Sequence, residues 1–177
     1  MYITKNYPKQ ESFQQFIAPY LVTHFNYLLY NALRHNNQND LFVLIDNDFP
    51  LSQQHEAMAY QSSYRWYHQQ LREAKDIELA LEKGQFVSGK QIYDLIEPGF
   101  MSNFNQLPQY FFDIRDKYAF KLYELIVLLN NRYKRTELAR AILDAGIRLN
   151  VEHHTHQYYV NADDVVDKKV ISKKNKI

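Results

Sequence analysis

His154 and His156, one residue apart and followed by Asp163, Asp164 and Asp167, form the densest set of metal-ligating side chains in the sequence. On an extended strand alternate side chains share a face, so the two imidazoles would meet one ion, with Asp167 adding a carboxylate. That constellation suits metal-assisted hydrolysis at zinc or iron. A solvated hairpin with histidines that bind nothing fits the same residues. A second acidic group, Asp46-Asn47-Asp48, closes an apolar run. Carboxylates at the end of a strand can hold magnesium for phosphoryl transfer, and an Asx-rich turn uses the same side chains to satisfy backbone donors. Gly84, Gly89, Gly99 and Gly146 stand too far apart to build a phosphate-cradling loop.

The order His154-Thr-His156, seven residues, then Asp164-Val-Val-Asp167 resembles the metal motif of JAMM-type metalloproteases over 14 residues. The resemblance implies a metal-dependent hydrolase with His154, His156 and Asp167 as ligands. Asp164 stands where that family has serine, Gln157 where it usually has proline, and no upstream glycine-rich glutamate segment accompanies them.

Arg132, Lys134, Arg135, Arg140 and Arg148 flank the segment from Thr136 to Gly146. Thr136-Glu137-Leu138-Ala139-Arg140 with Gly146-Ile147 resembles the first helix of a helix-turn-helix, and a following hairpin would serve as its wing. Lys117-Tyr118-Ala119 with Leu122-Tyr123-Glu124-Leu125 resembles a segment of plasmid replication initiators that have winged-helix domains. These resemblances imply a nucleic-acid-binding regulator. A solvated helix end, favoured by the macrodipole, accounts for the same cations. Removing Asp167 and the lysines at 168, 169, 173, 174 and 176 from the 20 acidic and 21 basic residues leaves 19 and 16 in residues 1–166, a net of −3. Contact with phosphate would therefore have to be local.

Ala57, Tyr60, Tyr64, Tyr67, Leu71, Ala74 and Leu81 keep a seven-residue period that slips only at Glu78. The period predicts one long helix over about 53–83, about 45 Å if unbroken, with a break near Lys75 and Asp76 as the alternative. Tyr60, Tyr64, Trp66 and Tyr67 cover more than one side of it, and Tyr and Trp are enriched at interface hot spots. The leading expectation is a non-enzymatic interaction module, an adaptor or inhibitor of a larger complex, that uses these four side chains against a protein partner. Half-buried packing of the same rings is the competing reading.

The elements that must position these groups follow from composition and periodicity. With 46% hydrophobic and 15% aromatic residues, a chain of 177 residues can bury a core. Absence of cysteine excludes disulfides, zinc-thiolate sites and cysteine nucleophiles. Four glycines and five prolines beside 15 tyrosines and 11 phenylalanines favour helices over turn-dense β architectures. Apolar spacing predicts helices over about 20–35, after an interruption at Pro19, and over 90–97, 108–131 and 136–146.

The run Leu41 to Asp46 reads as a buried strand, Phe86-Val87 as a short one, and 147–160 as a β-hairpin. The expected fold is thus helix-dominated α+β, with four to six helices, one or two short strands and a C-terminal hairpin. Residues 1–166 are expected to form a single globular domain, and 167–177 a basic, disordered tail. No cofactor, no membrane span and a cytoplasmic location are expected, with a homo-oligomer left open.

Overall fold

The computed structural model describes residues 11–45 and 53–174, with side chains over 16–45 and 55–163. Eight α-helices and one 3-10 turn make up its regular structure: α1 (Glu11–Arg34), α2 (Gln38–Ile45), α3 (Gln53–Glu82), α4 (Gly89–Leu95), α5 (Pro98–Gln106), the turn Gln109–Phe111, α6 (Phe112–Asn131), α7 (Thr136–Gly146) and α8 (His153–Lys174). There is no strand among the described residues. The expected α+β class is therefore wrong, as are its helix number, both short strands and the hairpin. The chain divides into two compact units, Met1–Trp66 and Tyr67–Ile177, and the division falls within α3.

In the first unit, α1 runs unbroken through Pro19, where an interruption between a short helix and a second one was expected. Proline removes one backbone donor from the helix, and the Thr23 hydroxyl bonds back to the Pro19 carbonyl at 2.7 Å. The helix ends where Asn36 adopts a left-handed φ of 55°, with the Asn37 N–H donating to Ala32. Asn37 then starts α2: its side-chain oxygen accepts the Asp40 N–H at 3.3 Å and its amide donates to the Asp40 carboxylate at 2.6 Å. The bond from the Asp40 N–H to the Asn37 side chain is an N-cap and marks a helix start. Leu41 to Ile45, expected as a strand, accordingly lie on α2, where Leu41 is buried and Phe42 and Val43 are exposed. A short apolar run does not by itself separate strand from helix.

In the second unit, the Ser88 hydroxyl and the Gln91 side chain form a capping box that starts α4, leaving Phe86-Val87 as loop and not strand. Glu97 caps α5 by accepting the Gly99 and Phe100 N–H groups at 3.0 and 2.6 Å, with Pro98 in the first turn. The core gathers around Tyr67, which stacks on Phe104 with ring centroids 4.0 Å apart and meets Phe111 edge-on at 6.1 Å. Phe100, Tyr118 and the α6 residues Ile114, Leu122, Leu125 and Leu129 complete it.

Arg115 is buried in this core with 2% of its surface exposed. Its guanidinium donates to the Leu107 carbonyl at 2.7 Å and the Asn150 carbonyl at 3.2 Å, and lies 5.7 Å from the Phe104 ring. It thereby ties the end of α5 to the lead-in of α8. Helices α6, α7 and α8 pack on one another. The α8 face that docks carries Thr155 and Tyr159, four residues apart and both fully buried, and Tyr159 donates to the Ala119 carbonyl at 2.5 Å.

Candidate functional site

The helical state of residues 153–163 changes the geometry of the histidine cluster. Residues two apart on a helix point about 200° apart, so His154 and His156 do not share the face a strand would have given them. The side chains of Asp164 and Asp167 lie outside those described, as do Asp46, Asn47 and Asp48. His154 instead faces Glu152, Nδ1 to Oε2 at 3.2 Å, and Asp116 lies close by. Among the described residues Asp116, Glu152 and His154 are the group that could hold a divalent cation, with ligand atoms within 4.8 Å of one another. Glu152 and His154 are exposed, and Asp116 accepts the Glu152 N–H at 3.2 Å, so this trio also serves the start of α8 without an ion.

The cations around α7 have mostly structural employment. Arg132 donates to the Glu82 carbonyl at 2.9 Å, Lys134 to Asn131 at 2.6 Å and Arg135 to Val87 at 2.8 Å. Arg140 is paired with Asp144 and Asp163, both at 2.8 Å. Arg148 is exposed at the far end of α7, where its carbonyl accepts from Asn105 at 2.7 Å. A helix, α8, follows α7 in place of the expected wing. Its lysines, 168, 169, 173 and 174, all lie in its second half, and no lysine or arginine stands between residues 153 and 167.

The rings of α3 are less available than their number suggested. Tyr67 is fully buried and belongs to the core of the second unit, whereas Tyr60, Tyr64 and Trp66 are half-buried. Burial, and after it the charge of Glu56, raises the Tyr60 phenol above its ordinary pKa. Phe25 meets Tyr60 edge-on at 6.1 Å, and Asn26 exchanges bonds of 3.0 and 2.9 Å with Ser62. These contacts turn the first part of α3 toward α1.

The aromatic surface that the stripe on α3 was expected to supply lies on α1 and α2. Phe16, Tyr20 and Tyr27 are 70%, 68% and 62% exposed, and positions 16, 20 and 27 fall within about 40° of one another on a helix. Phe42 and Val43 add exposed apolar area on α2. The spacing of Leu21, Phe25, Leu28, Leu29, Ala32 and Leu33 predicts a core-facing stripe, of which Leu29, Ala32 and Leu33 are buried, Leu21 and Phe25 half-buried and Leu28 exposed. The missed signal was a second apolar stripe, offset from Val22, Leu29 and Leu33, on a helix too narrow to bury both.

No family model, curated protein or solved structure matches this chain. Function therefore rests on the geometry alone. Among the described residues of the second unit the most exposed large apolar side chain is Phe86 at 89%, in the loop between α3 and α4. No helix among the described residues is long and apolar enough to cross a membrane.

Proposed function

We propose that this protein is a non-enzymatic interaction module that lays the exposed face of α1, flanked by α2, into an apolar groove of a protein partner. The observation that carries the reading is the stripe Phe16, Tyr20 and Tyr27, at positions i, i+4 and i+11 of one helix and each more than 60% exposed. Anchors of this spacing on one face are how a helix is read by a groove. Aromatic rings supply large contact area with few torsions to immobilise, which is why a few of them can dominate an interface. Between Glu11 and Arg34 the only lysine or arginine is Arg34, so electrostatic attraction to an anionic lipid surface is weak and a protein groove is the better fit.

The test places a photoreactive benzoylphenylalanine at Tyr20 in the native host, with Arg72 on α3 as control position. A discrete adduct with a protein of different sequence is expected at Tyr20 only. It should disappear in the Phe16→Ser/Tyr27→Ser background while the circular dichroism spectrum is unchanged. No adduct, an adduct with a second copy of the chain, or one that survives those two substitutions would overturn the reading.

A further inference from the structure

The hydrogen bonds that hold the end of α3 also collect charge. Arg132 reaches the Glu82 carbonyl, the Tyr133 hydroxyl reaches the Leu81 carbonyl, and Arg135 reaches the Val87 carbonyl. A guanidinium nitrogen of Arg135 also lies 3.7 Å from where a side chain on Gly89 would begin. Segment 82–90 is thereby fixed against segment 131–137, and both lie within the second unit. Between them they contribute Lys83, Lys90, Arg132, Lys134 and Arg135, against the carboxylates of Glu82 and Glu137.

Lys83, Lys90, Arg132 and Lys134 are exposed and Arg135 is half-buried. Among the described residues none of the five forms an ion pair, whereas Lys117, Lys121 and Arg140 all do. The chain as a whole is only +1, so this end is a local excess rather than part of a general one. Out of the same loop stands Phe86, 89% exposed, although Val87 beside it is buried. An apolar ring held in water on a loop whose ends are joined to unpaired cations has a definite chemical complement: a flat apolar surface joined to anions.

We propose that this end of the second unit binds single-stranded nucleic acid, with one base stacked on Phe86 and the adjoining phosphates held by Lys83, Lys90, Arg132 and Lys134. Stacking on an aromatic side chain needs an unpaired base, because a base within a duplex already has neighbours on both faces. The five cations of this surface sit in turns and at the start of α4 rather than along one helix face, so the surface has no element of its own to lay in a major groove. Arg132 and Arg135 each spend one N–H on a carbonyl and keep the others, so their guanidinium groups are oriented before any phosphate arrives. The surface belongs to the second unit and the face of α1 to the first, and each is tested by itself.

The full-length protein is titrated into fluorescein-labelled twelve-nucleotide oligomers of thymidine and of adenosine, followed by anisotropy at 50 and 200 mM NaCl. Saturable binding that weakens with salt is expected. Phe86→Ala should cost roughly 5- to 100-fold at unchanged melting temperature, since the ring is exposed. Lys83→Gln/Lys90→Gln should weaken binding and flatten the salt dependence by about 0.7 in logarithmic slope per lysine.

No saturable binding at 50 mM salt would overturn the proposal, and so would affinity unaffected by Phe86→Ala and by the lysine pair. Binding that survives those variants and vanishes when the lysines at 168, 169, 173, 174 and 176 become glutamine would assign it to the chain end and overturn it equally. Polyglutamate or phosphatidylserine vesicles binding through Phe86 where the oligomers do not would give the surface to an acidic protein or a membrane instead.

Discussion

The two units use the same residue types for opposite ends. In the second, Tyr67, Phe100, Phe104, Phe111 and Tyr118 close on one another, every ring at or below 9% exposure, and the buried Arg115 cation is enclosed with them. In the first, the buried side chains are small or aliphatic, Val22, Leu29, Ala32, Leu33, Leu41 and Ala59, and the rings of Phe16, Tyr20, Tyr27 and Phe42 face water. Aromatic content alone therefore does not mark an interface. What distinguishes the units is whether enough elements converge to enclose a ring: α5, the turn Gln109–Phe111 and α6 supply walls around Tyr67, whereas a hairpin of α1 and α2 beside part of α3 supplies few. A tyrosine contributes most to stability in the first situation and is free to contact a partner in the second.

Truncating one ring in each setting is the most direct way to break this comparison. Tyr67→Ala should lower the unfolding free energy by about 3–5 kcal/mol, because it removes the ring stacked on Phe104 and leaves a cavity that its neighbours cannot fill. Tyr20→Ala should stay within about 0.5 kcal/mol. Urea unfolding followed by far-ultraviolet circular dichroism reads both. Equal effects would mean that the α1 face is packed rather than presented.

The same contrast explains which parts of the molecule were legible in the sequence. The long helix could be read because Ala74 and Leu81 keep the period of Tyr67 and all three are buried on one face. The helix 136–146 could be read for the same reason, from Leu138, Ala139, Ile142 and Leu143. Residues 153–163 could not be: Tyr158, Tyr159 and Val160 favour strands locally, and helix forms because Thr155 and Tyr159 dock on α6, a tertiary effect that overrides propensity. The stretch 41–45 failed for want of length, although the capping pair Asn37 and Asp40 was visible in the residues. Phe86 escaped notice as a site because exposure of a lone phenylalanine in a loop leaves no periodic signal, and the cations beside it come from a segment some 45 residues away, brought in by Arg132 and Arg135.

Alkaline titration sharpens the comparison from the side of charge. Burial pushes the phenols of Tyr67, Tyr118 and Tyr159 well above their ordinary pKa, with Arg115 opposing it at Tyr67, Glu73 adding to it at Tyr118, and Tyr118 and Asp116 adding to it at Tyr159. In the unfolded chain the three ionise near pH 10, while the folded protein keeps them protonated. Above that pH the folded state binds more protons than the unfolded one, so stability falls as pH rises, by up to about 4 kcal/mol per pH unit for three groups. Cooperative loss of circular dichroism should therefore accompany the last phenolate absorbance at 295 nm. Gradual ionisation of all 15 tyrosines with the helix signal intact would show that the second unit is open to water.

A smaller and more local effect is expected at Gly146, the last residue of α7. Its φ is not left-handed, so a turn does not require glycine there. The reason is the approach of Tyr159: a methyl group on residue 146 would overlap the ring at Cε1 and Cζ and would stand 2.7 Å from the hydroxyl oxygen. That ring is fully buried and tied to the Ala119 carbonyl, so it cannot swing aside without losing its bond and moving α8 off α6. Alanine ordinarily gains up to about 1 kcal/mol over glycine in a helix. Here overpacking at about 1–3 kcal/mol should outweigh that gain, leaving Gly146→Ala destabilised. Gly89→Ala is the matched control, since its new methyl would meet only ordinary contacts, at 3.7 Å to Arg135 and 3.9 Å to Leu138. A lower melting temperature for the first variant alone locates the constraint at the junction of α7 and α8. If Gly146→Ala raised stability instead, α8 would not be seated on Tyr159 as described, and the reassignment of residues 153–163 from hairpin to docked helix would lose its main support.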